Sequence, residues 1–271
     1  MSQITLLSDF GDRDVYVGVM KGVIAQINPK LTVIDLTHQI PPQNIAAARF
    51  CLMNAYAYFP KGTVHVAVVD PGVGGIRRAI ALQLADGFLV GPDNGIFSGV
   101  LSQSPAITAV ELTNSQYWRT QEPSRTFHGR DIFAPVAAHL KSGVSLKELG
   151  REIDLAKLIK LNLAECSLTE TGVTGCIQYI DHFGNLVSNI PASYVQGKTW
   201  YVKAAGLTIP GCETYADVEV GDAIALIGSH GWVEIAINSG NAQLQLQMKL
   251  GDAVEVFLRH KNPDFLEKSG F

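Results

Sequence analysis

Apolar and polar residues change rhythm once along this chain, near its middle. Up to about residue 165, short β-rich runs alternate with segments of helical spacing. "ITLLSDF" is an apolar run closed by turn residues, and from Val15 to Ile27 apolar side chains recur at helical spacing behind Asp14, a good N-cap, until Pro29 ends the run. "LTVIDLT" reads as a second strand, "NIAAARFCLMNAYAYF" as a buried helix, "TVHVAVVD" as a third strand and "AIALQLADGFLVG" as two more. Strands alternating with helices predict an α/β domain around a mainly parallel central sheet.

Beyond residue 170 the runs are short strands broken by turn residues: "TGCIQYID", "GNLVSNI", "TWYVKAAGLTI", "DAIALIGS", "WVEIAIN" and "DAVEVFL". Such a series predicts a small all-β barrel or sandwich. The polar stretch "LNLAECSLTETG" is the expected linker, and "SLKELGREIDLAKLIKL" before it has helical character. The expected division is residues 1–168 and residues 169–271.

Composition narrows the partners. Of 271 residues 47% are hydrophobic, enough for a core in each half, while 17% are charged with a net charge of −4. That balance gives no basic footprint for nucleic acid or an anionic membrane. The start lacks a basic, apolar leader and no later run reaches the roughly 20 apolar residues of a spanning helix, so a cytoplasmic location is expected. Cys51, Cys166, Cys176 and Cys212 show no zinc-site spacing and read as reduced packing residues.

In a parallel sheet, ligands gather outside the carboxyl ends of strands. Three segments stand there. In "SDFGDRD", Asp9, Asp12 and Asp14 offer a helix cap, metal ligands or acceptors for ribose hydroxyls; Asp9, at the strand end, is the ligand candidate. In "VVDPGVGGIRRAI", Asp70 ends an apolar strand, and Arg77 or Arg78 is placed to fold back on it across a glycine-rich turn. A salt bridge that merely closes the turn is the competing reading. In "RTFHGRDIFAPVAAHL", His128 precedes a helix starting near Arg130, whose positive end favours a neutral imidazole. Turn formation accounts for Asp93 and Asn94 in "GPDNGIF". In the second half, Asp181, Phe183, Asn185 and Asn189 surround one glycine, and Ser229, His230, Glu234 and Asn238 another.

Six segments in this order, "SDFGDRDVYVGVMKG", "DPGVGGIRRAI", "GPDNGIF", "FHGRDIFAPVAAHL", "DHFGNLVSNI" and "SHGWVEIAINSGNA", resemble the S-adenosylmethionine hydroxide adenosyltransferases, relatives of enzymes that fluorinate or chlorinate the same substrate. The resemblance implies an α/β domain followed by a β-barrel. It also implies a homotrimer binding S-adenosylmethionine between the first domain of one subunit and the second of its neighbour. By it, Asp70, Arg77 and His128 would be the catalytic set. Asp9 would hold the ribose, Asp181 and Ser229 the methionine part, and Phe183 and Asn185 the adenine side together with backbone near Asn238; Glu234 joins this substrate-binding set. The halogenating relatives carry a different segment in place of this aspartate and arginine, which favours water as nucleophile. No metal or cofactor is implied, S-adenosylmethionine being the substrate.

Sulfonium chemistry suits such a set. The leaving group departs as neutral methionine and needs no acid, so the difficulty lies with water, whose pKa of about 15.7 puts full hydroxide on the order of 12 kcal/mol away at pH 7. Attack with concurrent proton loss lowers that demand. The expected allocation is His128 as proton acceptor or relay, Arg77 stabilising hydroxide character, and Asp70 orienting water and arginine. A halogenase on the same scaffold, a non-catalytic S-adenosylmethionine or adenosine binder and a metal-dependent phosphohydrolase are the alternatives at this level.

Overall fold

The computed structural model describes residues 3–259 and divides the chain into two compact units, Met1–Asn162 and Leu163–Phe271. The first unit runs β1 (Gln3–Ser8), α1 (Tyr16–Ile27), β2 (Thr32–Thr37), α2 (Ile45–Tyr56), β3 (Thr63–Val68), β4 (Ala79–Gln83), β5 (Gly87–Pro92), α3 (Ser98–Gln103), β6 (Thr108–Glu111), α4 (Ala134–Lys141) and β7 (Arg151–Glu152). These strands form one sheet in the order β2-β1-β3-β5-β4-β6-β7.

The sheet is mixed, which corrects the expectation of a mainly parallel one. β2, β1, β3 and β5 are mutually parallel, whereas β5–β4, β4–β6 and β6–β7 are antiparallel. The cause is local: only three residues join β4 to β5, too few for a crossover, so the two close as a hairpin. Fully buried Ile4, Leu6, Val64, Val66 and Val90 pack with Met20 and Ile24 of α1, Val136 of α4 and Phe133 just before α4, and this packing fixes the parallel part. All six positions of β3 are buried, as its unbroken apolar run requires.

Two local expectations also change. Asp14 does not cap α1: Val15 occupies the cap position with no side-chain cap bond, and the preceding loop is tied instead by the Gly11 N–H donating to the His38 carbonyl. The segment expected to be helical before the linker is broken into short 3-10 turns at Leu146–Leu149 and Leu155–Lys157 around β7. Gly150 there approaches the Glu111 carbonyl so closely that a Cβ would lie 1.9 Å from it, and edge pairing with β6 replaces helix.

The second unit contains β8 (Ser167–Leu168), β9 (Gly172–Ile180), β10 (Leu186–Pro191), β11 (Thr199–Ala204), β12 (Leu207–Pro210), β13 (Ala223–Ile227), β14 (Trp232–Ile237), α5 (Ala242–Leu246) and β15 (Ala253–Arg259). Its antiparallel sheet follows β12-β11-β15-β9-β10-β14-β13, with β8 on β9, and a bridge between Gly211 and Ala225 brings the two ends together into a nearly closed barrel. Val173, Leu186, Ile190, Val202, Val233 and Val256 fill its interior. The five-residue α5 is the one α-helix of this unit among the described residues, and the sequence reading had none here. No disulfide joins the four cysteines, and among the described residues no helix is long and apolar enough to cross a membrane.

Candidate active site

β1 and β3 are neighbours in parallel register, Ser8 opposite Val68, so the residues that follow them leave the sheet at the same edge. Asp9 and Asp70 therefore both line one cleft of about 420 Å³, together with Phe10, Tyr16, Gln43, Val73, Phe127 and His128. The carboxyl end of a parallel pair is where polar groups can point outward without breaking strand pairing.

The turn after Asp70 reverses the chain tightly. Val73 N–H donates to the Asp70 carbonyl and Gly75 N–H to that of Gly72; Gly74 has φ +73, and a Cβ on it would meet the Arg125 carbonyl at 2.2 Å. Only glycine fits that approach. The reversal returns Arg77 onto Asp70, whose two carboxylate oxygens receive Arg77 Nε at 3.0 and 3.1 Å and Nη2 as well. Both side chains are nearly buried, Asp70 5% and Arg77 11% exposed. The guanidinium also lies 5.5 Å from the Phe133 ring centroid, a cation–π contact. Arg78 turns the other way, donating to Asp93 Oδ2, while Asp93 Oδ1 accepts the Ile159 N–H and Asn94 holds the Val69 carbonyl. Asp93 and Asn94 thus lock the far side of the turn rather than only forming their own.

His128 is brought in by a π-helical turn, Gly129–Phe133, that opens α4. Arg77 Nη2 lies 2.7 Å from His128 Nδ1. Guanidinium can only donate, so Nδ1 presents its lone pair and the hydrogen of the neutral ring sits on Nε2. Burial first, then the Arg77 charge, lowers the His128 pKa, against weaker opposite effects from Asp70 and Asp131. Its single basic nitrogen is thereby occupied, and the expected proton-accepting role would need that nitrogen free.

The loop before His128 is anchored by Asp131, which is fully buried. Its carboxylate accepts from Arg119 Nε, Arg130 Nε and Nη2, and the Ser124 N–H. Burial pushes its pKa up, but the hydrogen bonds from Arg130, Arg119 and Ser124 outweigh this and hold it below the usual carboxylate range. Arg130 and Asp131, in the opening turn of the helix expected to start near Arg130, therefore also form an ionic anchor.

Asp9 Oδ2 accepts the backbone N–H of Gln43 at 2.8 Å, and Gln43 carries φ +64. Asp12 and Asp14 are exposed, and no three His, Cys, Asp or Glu side chains converge as a ligand set among the described residues. Phe10, Tyr16 and Phe127 form a mutually tilted aromatic wall with centroids 5.2 to 5.8 Å apart. Sequence reasoning did not select these three or Gln43. Aromatics beside apolar runs carry no signal that separates a cleft wall from core, and nothing local to Gln43 announces a contact with a residue 34 positions away.

In the second unit, Asp181 closes the β9–β10 turn: its Oδ1 accepts the N–H groups of Phe183 and Asn185, and its Oδ2 accepts Asn185 Nδ2. Phe183 is 70% exposed on that turn. Ser229 is exposed in the turn between β13 and β14. Glu234 is buried and both its oxygens are taken, by Tyr215 Oη at 2.8 Å and His230 Nε2 at 3.1 Å, so it braces the Ser229–His230 turn instead of reaching outward. Burial, with the Glu234 hydrogen bond and charge, pushes the Tyr215 phenol up to about 12. Asn238 donates to the Val218 carbonyl.

Comparison with known proteins identifies the family. The model of the SAM hydroxide adenosyltransferase N-terminal domain matches residues 4–150 and that of the C-terminal domain residues 175–255. The chain is 39% identical to an (R)-S-adenosyl-L-methionine hydrolase of Thermus thermophilus, covering 94% of this chain and all of the relative, and 37% identical to one of Salinispora tropica, covering 93% and 97%. A fluorinase of Actinoplanes is more distant, at 27% identity over 93% and 96%. The crystal structure of an uncharacterised conserved protein from Thermotoga maritima superposes with a TM-score of 0.88 at 35% identity, covering 94% and 99%. With both domain models matched in order and curated relatives spanning nearly the whole chain, this protein belongs to the SAM hydroxide adenosyltransferase family.

Proposed function

We propose that this protein hydrolyses S-adenosyl-L-methionine to adenosine and L-methionine. The observation that carries the reading is the Asp70–Arg77–His128 constellation, of which Asp70 and His128 line the cleft that also holds Asp9 and Arg77 bonds to both. Water attacks the ribose C5′ in line with the sulfonium, the C5′–O bond forms as the C5′–S bond breaks, and sulfur keeps the electron pair. Arg77 and the His128 Nε2–H favour hydroxide character on the attacking oxygen. Asp70 has lone pairs beyond those engaged by Arg77 and takes the departing proton as the bond forms, before its loss to solvent.

Asp9 is assigned to the ribose hydroxyls, which a carboxylate accepts well. From the second unit, Asp181 and Ser229 are assigned to the amine and carboxylate of the methionine part, and Phe183, Asn185 and Asn238 to the adenine side. Glu234 enters the proposal as their support. This gives the first unit the water chemistry and the ribose, and the second unit the methionine part and the adenine. A homotrimer with sites at subunit interfaces, action in the cytoplasm and independence of any cofactor complete the reading. Relatives named as hydrolases at 36 to 39% identity, against fluorinases at 25 to 27%, support water over halide as nucleophile.

The test is incubation of the purified protein with S-adenosylmethionine in halide-free buffer, with adenosine and methionine followed by chromatography and mass spectrometry and Asp70→Ala as control. Equimolar products absent from the control are expected. Binding without turnover would select a non-catalytic binder, a halogenated nucleoside formed only on adding halide would select a halogenase, and loss of turnover in EDTA would reopen metal-dependent chemistry.

A further inference from the structure

Next to the cleft, and outside its lining, lies a chain of polar groups that the proposed chemistry does not use, buried at Ser8 and His38 and open to solvent at Asp35 and Lys21. Ser8 Oγ is 2.7 Å from His38 Nδ1, His38 Nε2 stands 3.1 Å from Asp35 Oδ1, and Asp35 Oδ2 receives Lys21 Nζ at 2.5 Å. Ser8 is 1% and His38 9% exposed. The order hydroxyl, imidazole, carboxylate is that of a nucleophilic triad, but the hydroxyl is shut away from solvent and accepts the Phe10 N–H at 3.3 Å. A substrate carbon cannot reach it.

Ser8 and His38 share one hydrogen bond, while His38 Nε2 makes none although the Asp35 carboxylate lies 3.1 Å from it. β3 pairs regularly with β1 as far as Ser8, but on the β2 side the pairing is irregular, Leu6 facing Asp35 and Leu7 facing Thr37, and the ladder ends before Asp9. His38 restrains the chain on both sides of Asp9. Its ring holds Ser8, the residue before, and its carbonyl accepts the N–H of Gly11, two residues after. Gln43, in a left-handed conformation that non-glycine residues rarely adopt, supplies a third restraint by donating directly to the Asp9 carboxylate.

We infer that His38 is a positioning residue for Asp9: through Ser8 and Gly11 it holds the carboxylate at the point where a ribose diol is read, and so sets discrimination between ribose and deoxyribose substrates. This rests on the assignment of Asp9 to the ribose hydroxyls. His38 does not line the cleft and touches no reacting atom.

The experiment compares KM and kcat for S-adenosylmethionine and its 2′-deoxyribose analogue in the unmodified protein and in Asp9→Asn, His38→Ala, His38→Asn and Ser8→Ala, with a thermal melt of each. Asp9→Asn is expected to raise KM for S-adenosylmethionine roughly 10- to 100-fold and to erase the preference for ribose, as loss of a charged hydrogen bond would. His38→Ala should raise KM about tenfold with kcat within about twofold, and should shrink the ribose preference by the same factor. His38→Asn, whose amide can meet Ser8 where Nδ1 does, should recover most of that loss; Ser8→Ala should reproduce it and carries the test if His38→Ala does not fold. An unchanged ribose preference in Ser8→Ala and His38→Ala, or an equal fall in kcat on both substrates with a lowered melting temperature, overturns the inference while Asp9→Asn still loses the preference. If Asp9→Asn keeps the preference, the ribose assignment beneath it fails instead.

Discussion

Arg77 Nη2 meets His128 Nδ1 at 2.7 Å, across 51 positions of sequence, and this contact decides which nitrogen of the imidazole carries the hydrogen. Because Arg77 is simultaneously bound to both oxygens of Asp70, the three side chains form one unit in which the arginine is the shared donor.

Protonation of His128 would set an N–H against an N–H of Arg77. Its pKa is lowered by burial and by Arg77, so the neutral ring already predominates at the ordinary histidine value of 6.5 and the charged ring takes over only at lower pH. Turnover should therefore be flat above about pH 6.5 with respect to this group and fall as the pH drops through its lowered pKa. His128→Ala should cost roughly 100-fold in kcat, and His128→Gln, which restores an N–H donor, should recover about tenfold of it. A pH–rate profile with single-turnover kinetics checks both; a loss in His128→Gln as deep as in His128→Ala would return the proton-acceptor role to the ring.

Asp70 and Arg77 should fail together. Removing either leaves the other nearly buried and unpaired, which costs about 3 kcal/mol of stability, and each single change should lower kcat by roughly 1000-fold. In a double-mutant cycle with Asp70→Asn and Arg77→Met, the double variant should be no slower than the worse single one. Urea melts and steady-state rates measure the two effects separately, and additive losses would dissolve the unit.

Asp131 should report on catalysis without touching substrate. Asp131→Asn leaves Arg119 and Arg130 without their carboxylate and slackens the loop that leads to His128, with an expected loss of about 3 kcal/mol and a lowered kcat. Since the folded pKa of Asp131 lies below its unfolded value near 3.8, its contribution is present above that pH and is lost as acid takes the pH lower. Denaturant melts from pH 2 to 6 on both proteins check the sign: the difference between them should shrink toward acid.

His65, on β3, is 1% exposed, between the Tyr56 and Phe59 rings with Thr5 Oγ1 at 2.8 Å from its Nδ1, and burial lowers its pKa to about 4. Below pH 6.5 the unfolded chain gains a proton here that the folded chain refuses. Stability should therefore fall between pH 6.5 and about 4, by about 3 kcal/mol for this residue, and His65→Asn should flatten that part of the curve. Equal slopes in the two proteins would place the acid sensitivity elsewhere.

Which residues were legible in the chain follows from the range of the forces that place them. The Asp70 turn is local: seven residues separate the partners, and glycines at 72, 74 and 75 make reversal the natural outcome, so Arg77 on Asp70 could be anticipated. Asp9 was legible because it ends an apolar strand. The burial of Asp131 and Glu234 was not legible because it depends on partners that only folding assembles, Arg119 and Ser124 in one case, Tyr215 and His230 in the other.

By itself the sequence determined the two rhythms, the α/β unit followed by a β-barrel unit, the strand-end positions of Asp9 and Asp70, and the family. These depend on periodicity and on neighbours in the chain, where backbone geometry alone gives the answer. Tertiary structure decided the antiparallel half of the first sheet, the tautomer of His128, the restraint of Asp9 by His38 and Gln43, and the ionic anchor at Asp131. Each of these is a hydrogen bond or ladder whose partner is chosen by packing, and packing brings together residues that the chain keeps far apart.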